Sequence, residues 1–294
     1  MKTISTRAAL AGVAAAMLVA APALADVKIG SLGAITGPIV SLVKEINLAE
    51  QAAIDEINAG GGINGDKAVI VFGDTGCNSQ TAVDAANKLV NIEQVVGIAG
   101  ALCSGATIPA ASNVAVPAGV VMISPASTSP EITNLKDNDY LYRTAPSDAF
   151  QGGVLAKLVL SKGIKKVALT YINNDYGVGL AGTFRSTYKA LGGIITADQV
   201  HEEKKQSYRS ELASLASGGS TKLVLIAMGE GSGMTMIRQS LEGGMFDTFI
   251  GADGMHTDKM VEGIGGKNLK GKFWGTLPSA KPSSFKTRYL ASLL

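Results

Sequence analysis

The chain has 294 residues, 46% of them hydrophobic and 17% charged, with two Cys and two His. That length suggests one large or two medium domains, and the apolar content excludes a disordered chain. Lys2 and Arg7 are the only charges in the first 25 residues, which leaves 24 basic against 24 acidic residues beyond them. So balanced a chain excludes a nucleic-acid footprint and a polybasic membrane patch. Two His and two Cys also argue against a multi-ligand metal centre. Neither metal nor cofactor is expected.

The first 25 residues join the basic pair to an apolar run over 8–20 and the small-residue pattern Ala23-Leu24-Ala25. This is the order of a cleavable export signal, with a mature chain starting at Asp26. The apolar run is too short for a membrane span, and Pro22 follows it. No Cys sits at the cleavage site, so no lipid anchor is indicated. Export places Cys77 and Cys103 in an oxidising compartment. There they either form a disulfide, worth on the order of 3 kcal/mol, or remain two buried thiols. The bridge is the expectation.

From Val27 onward short β-rich runs alternate with helical segments. Strands are predicted over 27–35, 68–72, 95–99 and 119–123, and helices over 42–59, 81–90 and 107–114. The strands are nearly continuous apolar runs, as in a parallel sheet covered by helices on both faces. The rhythm breaks at SPASTSPEITNLKDNDYLYRTAP, residues 124–146, read as a crossover into a second lobe. It then resumes with strands over 166–171, 194–197, 223–227 and 248–251, and helices over 179–191, 208–216 and 234–241. The fold class is therefore α/β: two doubly wound Rossmann-like lobes with a cleft between them. Lobe 1 is expected over 26–145, lobe 2 over 146–276, and an incomplete return to lobe 1 over 277–294. Ligands of such sheets lie beyond the carboxyl ends of the strands.

Gly177-Val178-Gly179-Leu180-Ala181-Gly182 matches a dinucleotide fingerprint, with Asp198 downstream. Four residues, Asn173 to Tyr176, separate it from the preceding strand, where the fingerprint requires a tight strand-to-helix turn. The glycines are read instead as a loop and a close-packed helix start. A stronger constellation lies at strand ends. Ser104, in GALCSGAT, follows one strand and opens a helix, where N–H groups favour an anion, although a plain capping Ser has the same signature. Ser124 to Thr128 follow another strand and offer carbonyls and a hydroxyl, as an ordinary Ser/Pro loop also does. In the second half Tyr176 follows a strand as NNDYG, and Asp253 follows one as FIGADGM. An acid there can pair with a ligand ammonium, or it can be a solvated loop carboxylate.

The runs IGSLGAITGP, AAIDEINAGGGING, FGDTGCNSQTAVDAANKLV, GALCSGATIPAAS, MISPASTSPEIT and NNDYGVGL, in this order, resemble the periplasmic leucine/isoleucine/valine-binding protein family. The resemblance extends from about Val27 to Gly275. It implies a type I periplasmic binding fold whose hinge closes on ligand, and it places the family's disulfide on Cys77 and Cys103. It further implies that Ser104 and Thr128 contact an amino-acid carboxylate, and that the Ala126 carbonyl and Asp253 contact the ammonium. Tyr176 matches a cleft tyrosine, with Leu102 and Cys103 on the pocket floor. The resemblance departs at three positions. Asp253 stands where studied members have Glu, Leu42 replaces a cleft aromatic, and Gly229 aligns with a second-lobe tyrosine, with Glu230 a candidate replacement contact.

Family chains continue past the point matching Leu294, so a fragment or a truncated gene is expected. The implied function is capture of an amino acid in the periplasm by a monomer that delivers it to the permease subunits of an ABC importer, without catalysis. A sensor of the same fold for a small carboxylate or amide is the alternative. An exported hydrolase using Ser104 or Cys103 is a remote one, since it needs a His base and only His256, not His201, lies near the predicted cleft.

Overall fold

The structure, a computed structural model, describes residues 26–279. The expected export signal and residues 280–294 lie outside the described residues. In the first lobe the strands are β1 (Val27–Gly33), β2 (Ala68–Asp74), β3 (Gly97–Gly100), β4 (Val121–Ser124) and β5 (Leu141–Arg143). They form one parallel sheet in the order β2-β1-β3-β4-β5. The helices are α1 (Val40–Ala59), α2 (Ser79–Asn87), α3 (Ser104–Ala110) and α4 (Glu131–Asn134), and π-helical turns at Lys88–Ile92 and Ala111–Ala115 extend α2 and α3.

The second lobe holds α5 (Asp148–Ser161), β6 (Lys166–Ile172), α6 (Asp175–Ala190), β7 (Ile194–His201), α7 (Arg209–Ala216), β8 (Lys222–Ile226) and α8 (Met234–Gly243). Strand β9 (Thr248–Gly251), helices α9 (Asp258–Ile264) and α10 (Gly266–Leu269), and β10 (Phe273–Gly275) complete it. Its sheet runs β10-β9-β8-β6-β7, again all parallel. The two lobes are thus α/β units with a sheet each, as the alternating pattern predicts.

Covering of the two sheets differs. In the second lobe Leu223, Val224, Leu225 and Ile226 of β8 are all fully buried, which explains why that strand reads as an unbroken apolar run. In the first lobe β4 alternates: Met122 and Ser124 are buried while Val121 and Ile123 are exposed, and Tyr142, in register with Ile123, is exposed as well. Double covering therefore holds for β8 but not for this corner of the first sheet.

The segment 124–146 is not simply a crossover, because it contains α4 and the edge strand β5. Three residues in a Ser/Pro/Asp-rich context carry no period that can announce a strand. Helix α5, for which no element was predicted, opens with Ser147 accepting from the Ala149 N–H and with Asp148 in the first turn. Helix α6 begins at Asp175, capped by Asn174, whose side chain accepts from the Gly177 N–H. The glycines 177–182 lie within this helix, so the loop reading is corrected. A Cβ on Gly177 would stand 2.1 Å from the Ile172 carbonyl oxygen, and one on Gly179 2.7 Å from Pro130 of the other lobe. Close packing requires glycine at both positions, with no role for a nucleotide.

Candidate ligand-binding cleft

Four strand ends converge on one cavity of about 480 Å³ between the lobes. Its lining includes all seven residues singled out from sequence: Leu102, Cys103, Ser104, Ala126, Thr128, Tyr176 and Asp253. The first five come from the ends of β3 and β4, Tyr176 from the first turn of α6, and Asp253 from the turn after β9. Ile39, Leu42, Met228, Leu277 and Pro278 add apolar wall, and His256 reaches the rim. A cavity of this size, mostly apolar with a few convergent polar groups, suits one small molecule.

The first-lobe wall is a hydroxyl network. Ser124 Oγ donates to the Ala101 carbonyl at 2.6 Å and accepts from the Ser127 N–H at 2.9 Å. The hydroxyls of Ser127 and Thr107 are 2.7 Å apart. Ser104 Oγ accepts from the Ser129 N–H at 3.1 Å, so its own hydrogen is left for another acceptor. The residue at the N-cap of α3 is Cys103, and Ser104 is the first helical residue rather than the cap. Arg143 donates from Nη1 to the carbonyls of Thr128, at 3.1 Å, and Ser129, at 2.7 Å, which pins the loop carrying both hydroxyls.

Across the cleft, Tyr176 donates its hydroxyl to Asp253 Oδ1 at 3.1 Å and accepts from the Gly254 N–H at 3.1 Å. Gln151 Nε2 donates to the same Asp253 oxygen at 2.9 Å and to the Thr276 carbonyl at 3.2 Å. Burial raises the Asp253 carboxyl above the usual carboxylate range, against the opposing effect of Tyr176 and Gln151. Burial, with Asp253 alongside, holds the Tyr176 phenol well above its ordinary value, so it is a neutral donor. The arrangement offers donors for an anion on one lobe and a carboxylate for a cation on the other.

Cys77 and Cys103 are joined by a disulfide with Cα atoms 5.4 Å apart. Cys103 is therefore no thiol nucleophile. Ser104 bonds to a backbone N–H, and His201 is enclosed between Thr170 and Ser232. Among the described residues no cluster of three or more His, Cys, Asp or Glu can hold a metal, and no helix is long and apolar enough to cross a membrane. Glu230 does not face this cavity. It accepts from the Ser41 backbone N–H at 3.2 Å and from the Ser41 hydroxyl, joining the lobes.

Sequence reasoning did not find Asp148, Gln151 or Arg143. Asp148 and Gln151 stand three apart on α5, so both face the site. The helix-start signal Ser147-Asp148 was the available clue.

A two-lobed α/β protein with a small-molecule cleft lined from both lobes belongs to the class that binds solutes by enclosure. The family model for periplasmic binding proteins matches residues 26–289. The chain belongs to the periplasmic binding protein family. It is 31% identical over 245 residues to the amino acid binding protein of Pseudomonas aeruginosa, covering 83% of this chain but 65% of that protein. It is 30% identical over 284 residues to the Leu/Ile/Val-binding protein of Citrobacter freundii, covering 94% of this chain and 76% of that one. The chain thus spans about two thirds to three quarters of these relatives' length.

Among solved structures, the isoleucine complex of the branched-chain amino acid transporter substrate binding protein LivJ from Streptococcus pneumoniae is similar, with a TM-score of 0.77 and 27% identity. The match covers 91% of this chain and 77% of that one. A periplasmic binding protein type 1 from Bordetella pertussis reaches a TM-score of 0.80 at 22% identity, over 91% and 74% of the two chains, and shows the fold alone.

Proposed function

We propose that the protein is an exported solute-binding component of an ABC importer that captures an amino acid with an aliphatic side chain. The observation that carries this reading is the polarity of the cleft. Ser104 and Thr128 line it from one lobe, Asp253 and Tyr176 from the other, and Leu42, Leu102, Met228 and Leu277 add apolar lining. A zwitterion needs both poles, and an aliphatic side chain needs the apolar wall. The relatives named for Leu/Ile/Val binding and the isoleucine complex of LivJ support the same ligand class.

On this reading Ser104 and Thr128 hold the ligand carboxylate. The Ala126 carbonyl and Asp253 hold its ammonium, with Tyr176 positioning Asp253. Leu102 and Cys103 form the floor. Residues 26–145 and 146–276 act as two lobes joined by a hinge. The mature protein would begin at Asp26, act as a monomer in the periplasm, and dock on the permease subunits in the inner membrane. Isothermal calorimetry of the protein with the twenty amino acids tests the ligand assignment. Micromolar or tighter binding of leucine, isoleucine or valine is expected, and heat from none of the twenty refutes it.

A further inference from the structure

Behind the Thr128 hydroxyl lies a carboxyl group that the reading above leaves without a role. Asp148 is fully buried. Its Oδ2 accepts the Thr128 hydroxyl at 2.8 Å, and its backbone N–H donates to the Thr128 carbonyl at 2.8 Å. Its other oxygen, Oδ1, is buried with no hydrogen-bond partner. The charged and titratable groups facing it are Arg143 from β5, Tyr176 from α6 and Asp253 from the turn after β9. Arg143 attracts the charged form but directs its own donors to the Thr128 and Ser129 carbonyls and to Thr133 Oγ1. Asp253 repels that form, and with burial as the larger cause the Asp148 carboxyl is pushed up to about 8.

The protonation state of Asp148 decides what Thr128 shows the cavity. A carboxylate only accepts, so an ionised Asp148 takes the Thr128 hydrogen and leaves Thr128 presenting lone pairs to the cleft. A neutral Asp148 instead donates from Oδ2 to Thr128 Oγ1, and the Thr128 hydrogen is released to point at a ligand oxygen. The orphaned Oδ1 is also far less costly on a neutral acid than on a carboxylate. A ligand carboxylate held at Ser104 and Thr128 adds a further negative charge beside Asp148.

We propose that Asp148 is a positioning residue that carries a proton when the site is filled and thereby turns the Thr128 hydroxyl toward the ligand's carboxylate. The proposal rests on the amino-acid reading of the cleft. It makes binding proton-linked: above the pH at which the empty site ionises, capture of one ligand takes up one proton at Asp148.

Calorimetry of the whole protein with leucine, in buffers of different ionisation enthalpy at pH 7 and pH 9, tests it. In the wild type most of one proton should be taken up at pH 9, and affinity should fall roughly tenfold between the two pH values. Asp148→Asn presents an amide donor to Thr128 at every pH. It should lose the uptake at this site, keeping only the fraction that leucine's own amino group takes up at pH 9, and bind leucine several-fold tighter than the wild type at pH 9. Thr128→Val, which retains shape but has no hydroxyl to turn, should bind weakly with a flat profile from pH 7 to 9. Equal proton uptake in the wild type and Asp148→Asn, or an undiminished pH profile in Thr128→Val, overturns the role of Asp148 and leaves the ligand assignment intact. Absence of leucine binding by the wild type at both pH values overturns the two together.

Discussion

Ser41, at the start of α1, and Glu230, in the turn before α8, are 189 positions apart in sequence and bonded to each other between the two lobes. The Glu230 backbone N–H also reaches the Pro38 carbonyl at 3.3 Å, and Lys259 Nζ stands 3.8 Å from Glu230 Oε2. The Ser41 and Pro38 contacts join the two lobes, whereas Lys259 meets Glu230 within the second, and none of Ser41, Pro38 and Glu230 lines the cavity. Their expected effect is on how the lobes are held together rather than on ligand chemistry.

Glu230→Ala should weaken ligand binding by about ten- to a hundredfold, since a hydrogen bond to a charged group contributes about 1.5–3 kcal/mol. The loss should fall on closure, with small-angle scattering showing a more open ligand-bound particle than the wild type. Affinity within twofold of wild type would mean that the contact does not help to hold the lobes together.

Asp253→Asn removes the charge but keeps the shape. Leucine binding should weaken by about 3 kcal/mol, more than a hundredfold in Kd, because an ammonium is left facing a neutral amide. The deaminated analogue 4-methylpentanoate should lose far less. Equal losses for both ligands, measured by calorimetry, would show that Asp253 does not meet the ammonium.

Two buried groups give stability opposite pH slopes. His201 is enclosed by Thr170 and Ser232, and burial pushes it down to about 4 from its ordinary 6.5. Below pH 6.5 the unfolded chain binds a proton at this site that the folded one refuses, so stability falls as pH drops toward 4. Asp148 has the opposite sign. From its ordinary 3.8 up to about 8 the folded chain holds the proton and the unfolded chain does not, so stability falls as pH rises. Each slope is about 1.4 kcal/mol per pH unit, and between pH 4 and 6.5 they nearly cancel. Relative to wild type, Asp148→Asn should therefore gain stability steadily between pH 5 and 8, and His201→Gln should gain as pH falls from 6.5 to 4. Urea unfolding at half-unit pH steps reads both differences, and parallel curves for variant and wild type would contradict them.

Replacing Cys77 and Cys103 together by Ser should lower stability by about 3 kcal/mol through the unfolded chain's regained freedom. Affinity should change less than stability. A large affinity loss without a shift in Tm would assign the bridge to the shaping of the cavity floor instead.

Much of this architecture was legible because both sheets are parallel: buried strands such as Leu223–Ile226 stand out as apolar runs between helical periods. The edge strand β5 and helix α5 were not. Leu141–Arg143 is too short to show a period, and α5 is apolar on nearly all sides, with its start signalled only by Ser147-Asp148. In the cleft, residues at strand ends were found because strand ends are where such folds put ligands. Gln151 and Asp148 were not, because their meaning lies in partners that the chain brings from 102 and 20 positions away.

Gln151 gives the cleft a mechanical property. Its single amide nitrogen holds the Asp253 carboxylate and the Thr276 carbonyl, just past β10 where the chain leaves the second sheet. On the amino-acid reading, an ammonium held at Asp253 would therefore bear, through Gln151, on the chain just past β10. Site and connector are tied together at Gln151. Substitution there should alter how tightly the cleft grips and how readily the lobes swing in the same stroke.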